Sequence, residues 1–388
     1  MLDTEHTHPA KETIEMTEDV ERAEHRLSRE DLLKLAAAAG GAALLGGKIG
    51  TAGAALSRLG AESGRLQVLD WAYYGYDGGQ TMFAAYDKKY PKNKPQFTLM
   101  NNEADALGKL TSHAVNPDLF RPYVGWVEYF AKSGLVQPWN PKLISNFKSL
   151  NPYMVKAGQY KGKQYGIPAD WGYDAILYRT DKVHPKSDSF GLLFDDRYKG
   201  KITWYNDGVE MFALVGYLFG YKNPYDQTDA QLDRTKKFLI SKKPLVRNIW
   251  SNEGSMNTDF VSGNVWIAYA WPVDYWTMKG KGLKVRYMLP KERPISWVGM
   301  FMLLKNTKRP GLAHAYVDAW SSAKSGSWLE DNYSYGHANT KARPSSSTKL
   351  RALHLGDPKA VVEPNAHMDR DTPRRELVLR MWEEVKRS

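Results

Sequence analysis

The chain predicts an α/β protein with mainly parallel, doubly wound sheets, and three observations point there. From residue 66 onward, short runs rich in branched and aromatic residues alternate with segments of helical period, the order that buries a parallel sheet between helices. Gly, Pro and Asn residues close many of these runs, at 75–79, 101–103, 121–123 and 206–208. A 42% hydrophobic and 12% aromatic content in 388 residues supplies core enough for two or three domains.

The rest of the chain is organised around residues 164–183, QYGIPADWGYDAILYRTDKV. A near-continuous apolar run at 173–178 follows Trp171-Gly172. The stretch reads as two extended pieces with a Pro/Trp/Gly joint, which suits either a buried strand pair or a hinge. Pro168 lacks a ladder donor and is expected at a strand end or edge.

Taken in order, residues 66–74 read as a buried strand ending in an aromatic loop, 80–90 as a helix stopped by Pro91, and 96–100 as a strand. Asn101-Asn102-Glu103 leads a helix through Leu110, and a short strand at 118–120 ends at Arg121-Pro122-Tyr123 before a helix at 124–133. Beyond the central stretch come a strand at 201–204, an apolar helix to Phe219, a polar-faced helix at 229–240, an extended piece at 244–250, a turn at 260–264 and an apolar strand at 265–271. Strands at 283–289 and 296–304, a helix at 310–321, an aromatic loop at 328–339 and a helix at 375–387 complete the reading. Ligands of such sheets bind beyond the carboxyl ends of strands, here 71–74, 101–103 and 121–123.

Charge is unevenly placed. Residues 1–30 hold nine acidic and four basic side chains, so a net +11 for the chain leaves about +16 on the remainder. Lys and Arg are scattered, without the basic-aromatic interleaving of a nucleic-acid face, so no nucleic-acid partner is expected. Cys is absent, which removes disulfides, thiolate metal sites, a thiol nucleophile and an N-terminal lipid-bearing Cys, and suits an oxidising compartment. Residues 1–25 are polar and acidic and predict disorder. The apolar segment 32–45 is too short to span a bilayer but fits a signal-peptide core, with Ala52-Gly53-Ala54 as a cleavage site. Ser28-Arg29-Glu30-Asp31-Leu32 is similar to a twin-arginine export motif, with Glu30 in place of the second arginine; a short amphipathic helix is the other reading.

Eight landmarks then resemble a family: bacterial extracellular solute-binding proteins of the spermidine/putrescine type, the substrate receptors of ABC importers. They are the Asp70–Tyr74 loop, NNE at 101–103, SGLVQPWNPKLISNFKSLNPYM at 133–154, the central stretch at 164–183, LLFDDRYKGKI at 192–202, NDGVEMF at 206–212, AWPVDY at 270–275 and YGHAN at 335–339. The resemblance covers about residues 66–385. It implies a two-lobed periplasmic-binding-protein fold of type II, with a hinge-closing cleft between two doubly wound lobes. By resemblance, lobe one is 66–170 with 275–335, lobe two is 171–274 with 336–388, and 1–65 is the acidic and signal-like segment. The chain is expected to cross between lobes at 167–172, 271–275 and 335–339. A polyamine ligand such as putrescine or spermidine, a membrane permease partner, a periplasmic location and a monomeric state follow as expectations.

A polyamine needs carboxylates at its ammonium groups and aromatic faces along its methylenes. Asp207 and Glu210 match two acidic family positions; the same Asp-x-x-Glu spacing is a helix-capping pattern, and Glu210 can serve both ends. Asp274 matches a carboxylate that meets an ammonium, with a structural ion pair as the other reading. Trp71, Tyr73 and Tyr74 match the aromatic loop of lobe one, where Ala72-Tyr73 replaces a hydroxyl and an acidic residue. Tyr123 stands where the family has Ser, and Trp126 follows Gly125. Trp250, Trp271 and Tyr335 match wall positions, or are core. Asp170 and Asp174 flank Trp171 and match no ligand position. Arg121 beside Pro122 keeps open an anionic or zwitterionic ligand in the same fold.

Enzyme motifs are lacking: there is no phosphate-binding P-loop, no G-x-S-x-G and no H-E-x-x-H. His113, His184, His314, His337 and His354 are isolated, so no metal site or cofactor is expected. Asp207 and Glu210 lie on one helical turn, on the same side of any substrate, which does not suit opposed acid and base roles. An iron-binding variant of the fold would need clustered Tyr ligands.

Overall fold

The structure, a computed structural model, describes residues 62–344, 347–353, 355 and 365–388. The acidic and signal-like segment, its cleavage site and His354 lie outside the described residues. One sheet of twelve strands organises the rest. Its strands are β1 (Gln67–Trp71), β2 (Gln96–Met100), β3 (Leu119–Phe120), β4 (Val136–Gln137), β7 (Gly166–Arg179), β8 (Ile202–Tyr205), β9 (Val246–Trp250), β10 (Ile267–Ala270), β11 (Val285–Met288), β12 (Ile295–Leu304), β13 (Gly336–His337) and β14 (His367–Met368); β5 (Gln159–Tyr160) and β6 (Lys163–Gln164) form a separate hairpin. The main path runs β2-β1-β3-β12-β7-β10-β8-β9. Within each half the pairs β1–β2, β1–β3, β8–β9 and β8–β10 are parallel, as the alternation of strand and helix requires.

The central stretch is a single strand, β7, buried along nearly its whole length. Its first part, Gly166–Asp174, pairs with β12. Its last part pairs with β10 on one side and β11 on the other. Pro168 therefore sits inside a central strand rather than at an edge. The reason lies in the partner: β12 bulges between Val298 and Met300, opposite Pro168, and the Met300 N–H donates to the Pro122 carbonyl instead. The missing donor is accommodated by a bulge.

The chain passes between the sheet halves at places the sequence did not indicate. β7 changes partners between Asp174 and Ala175. Residues 271–275 are not a return: Trp271 caps the helix Pro272–Gly280, and β11 still pairs with the second half. The return lies between β11 and β12. Residues 335–339 are not the last crossing either, because β13 pairs with Asp170 and Trp171 of the first half. The last passage follows β14, which pairs with Ile295 and Ser296, and leads to the helix Arg375–Arg387 packed on Gly208–Leu218 and Asp229–Lys242. The expected aromatic loop at 328–339 starts late, since the helix Ala323–Asn332 takes its first part.

Helix starts follow local chemistry. Asn102, Asp207, Asn252 and Ser322 accept hydrogen bonds from first-turn N–H groups, and Thr228 with Gln231 forms a capping box. Pro272 and Pro310 open their helices at the first position, where no N–H is needed.

Candidate functional site

The first wall is built on a buried ion network. Arg121, at the end of β3, is fully buried between Asp70 (2.9 Å) and Asp170 (2.6 Å). Its guanidinium lies 3.8 Å from the Tyr74 ring centroid, and the Tyr74 hydroxyl donates to Asp170 (2.7 Å). Trp71 is fixed twice: its backbone N–H donates to Asp70 and its Nε1 donates to the Arg121 carbonyl (2.9 Å). Burial pushes the Asp70 carboxyl up, and the nearby guanidinium pulls it back. Arg121 is thus consumed inside the protein, and the reading that gave it an anionic ligand has no support here. Tyr74 belongs to the same network. Tyr73, with φ +68°, is 63% exposed.

From Trp71 the rings run on in sequence. Trp71 stacks on Tyr123 (4.9 Å), Tyr123 meets Trp297 (5.1 Å), and Trp297 meets Tyr335 edge-on (4.9 Å). Trp297, on β12, has room because Gly172 opposite carries no side chain; a Cβ there would lie 2.7 Å from its ring. Trp126 is set apart, covered by the Arg375 guanidinium at 3.7 Å.

The second wall comes from the carboxyl ends of β8, β9 and β10. Trp250 packs on Tyr205 (4.7 Å) and Trp271 (5.0 Å). Asp207 caps the helix Gly208–Leu218 by accepting the Glu210 N–H (2.9 Å). Glu210 uses its side chain elsewhere, accepting the Tyr269 hydroxyl (2.6 Å), and burial, then the nearby Asp174 charge, raises its carboxyl. Asp174 accepts Trp297 Nε1 (3.0 Å). Asp274, fully buried, accepts the Trp271 backbone N–H (2.9 Å) and Asn257 Nδ2 (3.0 Å), and burial, then the Glu253 charge, pushes its carboxyl up. Asp274 thus fixes the backbone of Trp271.

The larger acidic group extends across the walls. Glu103, at the start of the helix after β2, accepts the Tyr123 N–H (2.9 Å) and feels the charge of Asp207. Asp369, beyond β14, feels both Asp207 and Glu103. It lies so close to Gly125 that a Cβ there would come within 2.2 Å of its Oδ2. Burial pushes Glu103 up to about 7 and Asp174 up to about 8. Burial, then neighbouring carboxyls, holds Glu210, Asp274 and Asp369 well above the ordinary range. Arg375 faces Glu103 and Asp369, but it is bonded to Asp371 and stacked on Trp126. Among the described residues, no Lys or Arg forms an ion pair with Glu103, Asp174, Asp207, Glu210, Glu253, Asp274 or Asp369. Such a place favours a neutral acid or a bound cation.

Of the residues singled out from sequence, Trp71, Tyr123 and Tyr335 stand on one wall, and Asp207, Glu210, Trp250, Trp271 and Asp274 on the other. Sequence reasoning placed 101–103 at a ligand-facing strand end without giving Glu103 a role, passed over Tyr205, Glu253, Trp297 and Asp369, and left Asp174 without a role. One signal was available for Asp174: an acidic residue inside an otherwise apolar strand needs a partner or a function. A surface hollow of about 480 Å³, lined by Lys89–Asn93, Leu143, Ala315 and Asp318, contains none of these residues.

The sequence profile of bacterial extracellular solute-binding proteins matches residues 71–352. The chain is 21% identical over 300 residues, 73% of its length and 83% of the relative's, to a putrescine/cadaverine-binding protein of Pseudomonas aeruginosa. It is 22% identical over 312 residues, 76% of its length and 83% of the relative's, to the putrescine-binding periplasmic protein PotF of Escherichia coli. The fold is similar to that of the spermidine/putrescine ABC transporter substrate-binding protein PotD of Streptococcus pneumoniae, with a TM-score of 0.66 at 18% identity, covering 84% of this chain and all of the other.

Proposed function

Because the chain belongs to the family of bacterial extracellular solute-binding proteins, we propose that it is the receptor of an ABC importer and takes a polyamine, such as putrescine or spermidine, into the cleft between its two sheet halves. The observation that carries this is the set of carboxyl groups near Trp271, which no Lys or Arg among the described residues neutralises by an ion pair, between walls of Trp and Tyr rings. Each ammonium–carboxylate hydrogen bond contributes about 1.5–3 kcal/mol, and each ring beneath a cation about 0.5–2 kcal/mol. Asp207, Glu210 and Asp274 meet the ammonium groups, while Trp71, Tyr123, Trp250, Trp271 and Tyr335 cover the methylenes.

The two sheet halves act as lobes that close on the ligand. They are joined at Asp174–Ala175, between β11 and β12, and after β14. Closure shifts an open–closed equilibrium toward the form a permease recognises. The ligand is released unchanged, since binding is the whole task and the family is one of receptors. The protein works outside the cytoplasm as a monomer, delivered there by its N-terminal segment. Among the described residues no helix is long and apolar enough to cross a membrane.

Calorimetric titration with putrescine and spermidine, with citrate and glutamate as controls, tests this. Saturable one-to-one binding of an amine is expected. Binding of a control anion without an amine signal would overturn it.

A further inference from the structure

Resting on the polyamine reading, we infer that Arg121 is a positioning residue for ligand binding: with Asp70 and Asp170 it forms a buried clamp that fixes the rings of Trp71, Tyr74 and Tyr123 in the first wall before a ligand arrives. The sheet makes the clamp possible. Arg121 directly follows β3, Asp70 lies in the neighbouring β1, and Asp170 lies in β7, on the far side of β12. One guanidinium joins all three. Its Nε donates to Asp70 Oδ1 (3.0 Å) and its Nη1 donates to Asp170 Oδ1 (2.6 Å). To reach β7 the side chain must pass β12, and it does so at Gly299, which bridges to Tyr123. A Cβ on Gly299 would lie 2.2 Å from Asp170 Oδ1 and 2.9 Å from Arg121 Nη1. The bulge that accommodates Pro168 therefore also leaves room for the ion pair.

The clamp ends on the rings of the wall. Asp70 Oδ1 accepts the Trp71 N–H (2.8 Å), and the Arg121 carbonyl accepts Trp71 Nε1 (2.9 Å), so both the backbone and the ring of Trp71 are tied to it. Tyr74 is held in two ways as well: its hydroxyl donates to Asp170 Oδ2 (2.7 Å), and its ring meets the guanidinium at 3.8 Å. Tyr123, two residues beyond Arg121, stacks on Trp71 with an interplanar angle of 19°. Arg121, Asp70 and Asp170 are each 0% exposed. They act on a ligand only through the rings they hold.

The chemistry explains why this residue is an arginine. A planar fork with fixed donor directions serves two carboxylates at once and still offers a face to an aromatic ring. A lysine ammonium keeps the charge but has no plane to set a ring against. A buried ion network adds little net stability over apolar residues of the same volume, so its place beneath the wall calls for another reason, and orientation supplies one. Rings already fixed lose no rotamer freedom when a ligand binds, which for this wall is worth roughly tenfold in affinity.

The test is a double-mutant cycle on the full chain, read by calorimetric titration with putrescine. Arg121→Lys is expected to weaken binding about tenfold although Arg121 touches no ligand, and Trp71→Ala about tenfold. The double variant should bind about as weakly as either single one, because Trp71 contributes only while the clamp holds it. A merely structural role for Arg121 would instead let the two factors multiply to about a hundredfold. Thermal unfolding of each variant checks that the fold persists. Should Arg121→Lys fail to fold, the cycle is run with Gly299→Ala, which keeps every charge and crowds Asp170; severalfold weaker binding, again without a further loss from Trp71→Ala, is expected. Factors that multiply, or wild-type affinity in the folded clamp variant, overturn this inference and leave the polyamine reading standing. Absence of amine binding in the wild type removes both.

Discussion

Replacing Arg121 by Met is expected to cost about 3–5 kcal/mol of stability at neutral pH, the range for breaking a buried pair by removing one partner. The structure gives the reason. Asp70 and Asp170 are both fully buried and share the one guanidinium, at 2.9 and 2.6 Å. Without it, two carboxyls are left close together with no counter-charge. They escape by binding protons, so the loss must depend on pH. Asp70 is already raised by burial despite the guanidinium that lowers it, and removing that cation raises it further. A carboxyl with a raised folded-state value contributes most below its unfolded value and loses that contribution as pH rises. The variant's deficit should therefore be small near pH 4 and grow by up to about 1.4 kcal/mol per pH unit for each proton taken up on folding. Urea unfolding followed by tryptophan fluorescence at several pH values measures this directly, with 13 Trp as reporters. Adding Asp70→Asn and Asp170→Asn to Arg121→Met should recover most of the loss, because no charge is then stranded. A variant Arg121→Met with wild-type stability, or a loss independent of pH, would refute the reasoning and reopen Arg121 as a group held ready for an anion.

Three further outcomes are expected. Asp207→Asn keeps a good helix cap but removes a charge, so stability should hold within ~0.5 kcal/mol while putrescine affinity falls at least tenfold by calorimetry; equal affinity would take Asp207 out of the site. The empty protein should melt at a lower temperature at pH 8.5 than at pH 6, because Glu103 (about 7) and Asp174 (about 8) are raised and their stabilisation is lost as pH climbs through those values; putrescine should narrow the gap, and scanning calorimetry with and without it gives the answer. Gly125→Ala places a Cβ against Asp369 and should displace that carboxylate, weakening amine binding severalfold with little change in unfolding; unchanged binding would make Asp369 a bystander.

How much of the site could be read in advance depended on how local its logic is. Asp207 and Glu210 are set by a helix start, and a helix start is visible in four residues. Trp250 and Trp271 were named through the family resemblance, and their places at the ends of apolar strands supported that reading. Asp174 was visible as a residue but not as a neighbour of Glu210, because Glu210 is 36 positions away and only the register of β10 against β7 brings Tyr269, Glu210 and Asp174 together. Arg121 shows the converse. Its neighbour Pro122 and a basic chain suggested a free cation, whereas Asp70 and Asp170 are held against it by strands paired across the sheet.

By itself the amino-acid sequence determined the α/β class, the family resemblance, most strand and helix positions, and the caps, since periodicity, turn residues and capping act over a few neighbours. Tertiary structure alone decided where the chain passes between the halves, why Pro168 is tolerated in a central strand, and which carboxyls lie near one another. Those are questions of partner and register, and a residue's partner in a sheet is chosen by the whole chain's packing rather than by anything beside it in sequence.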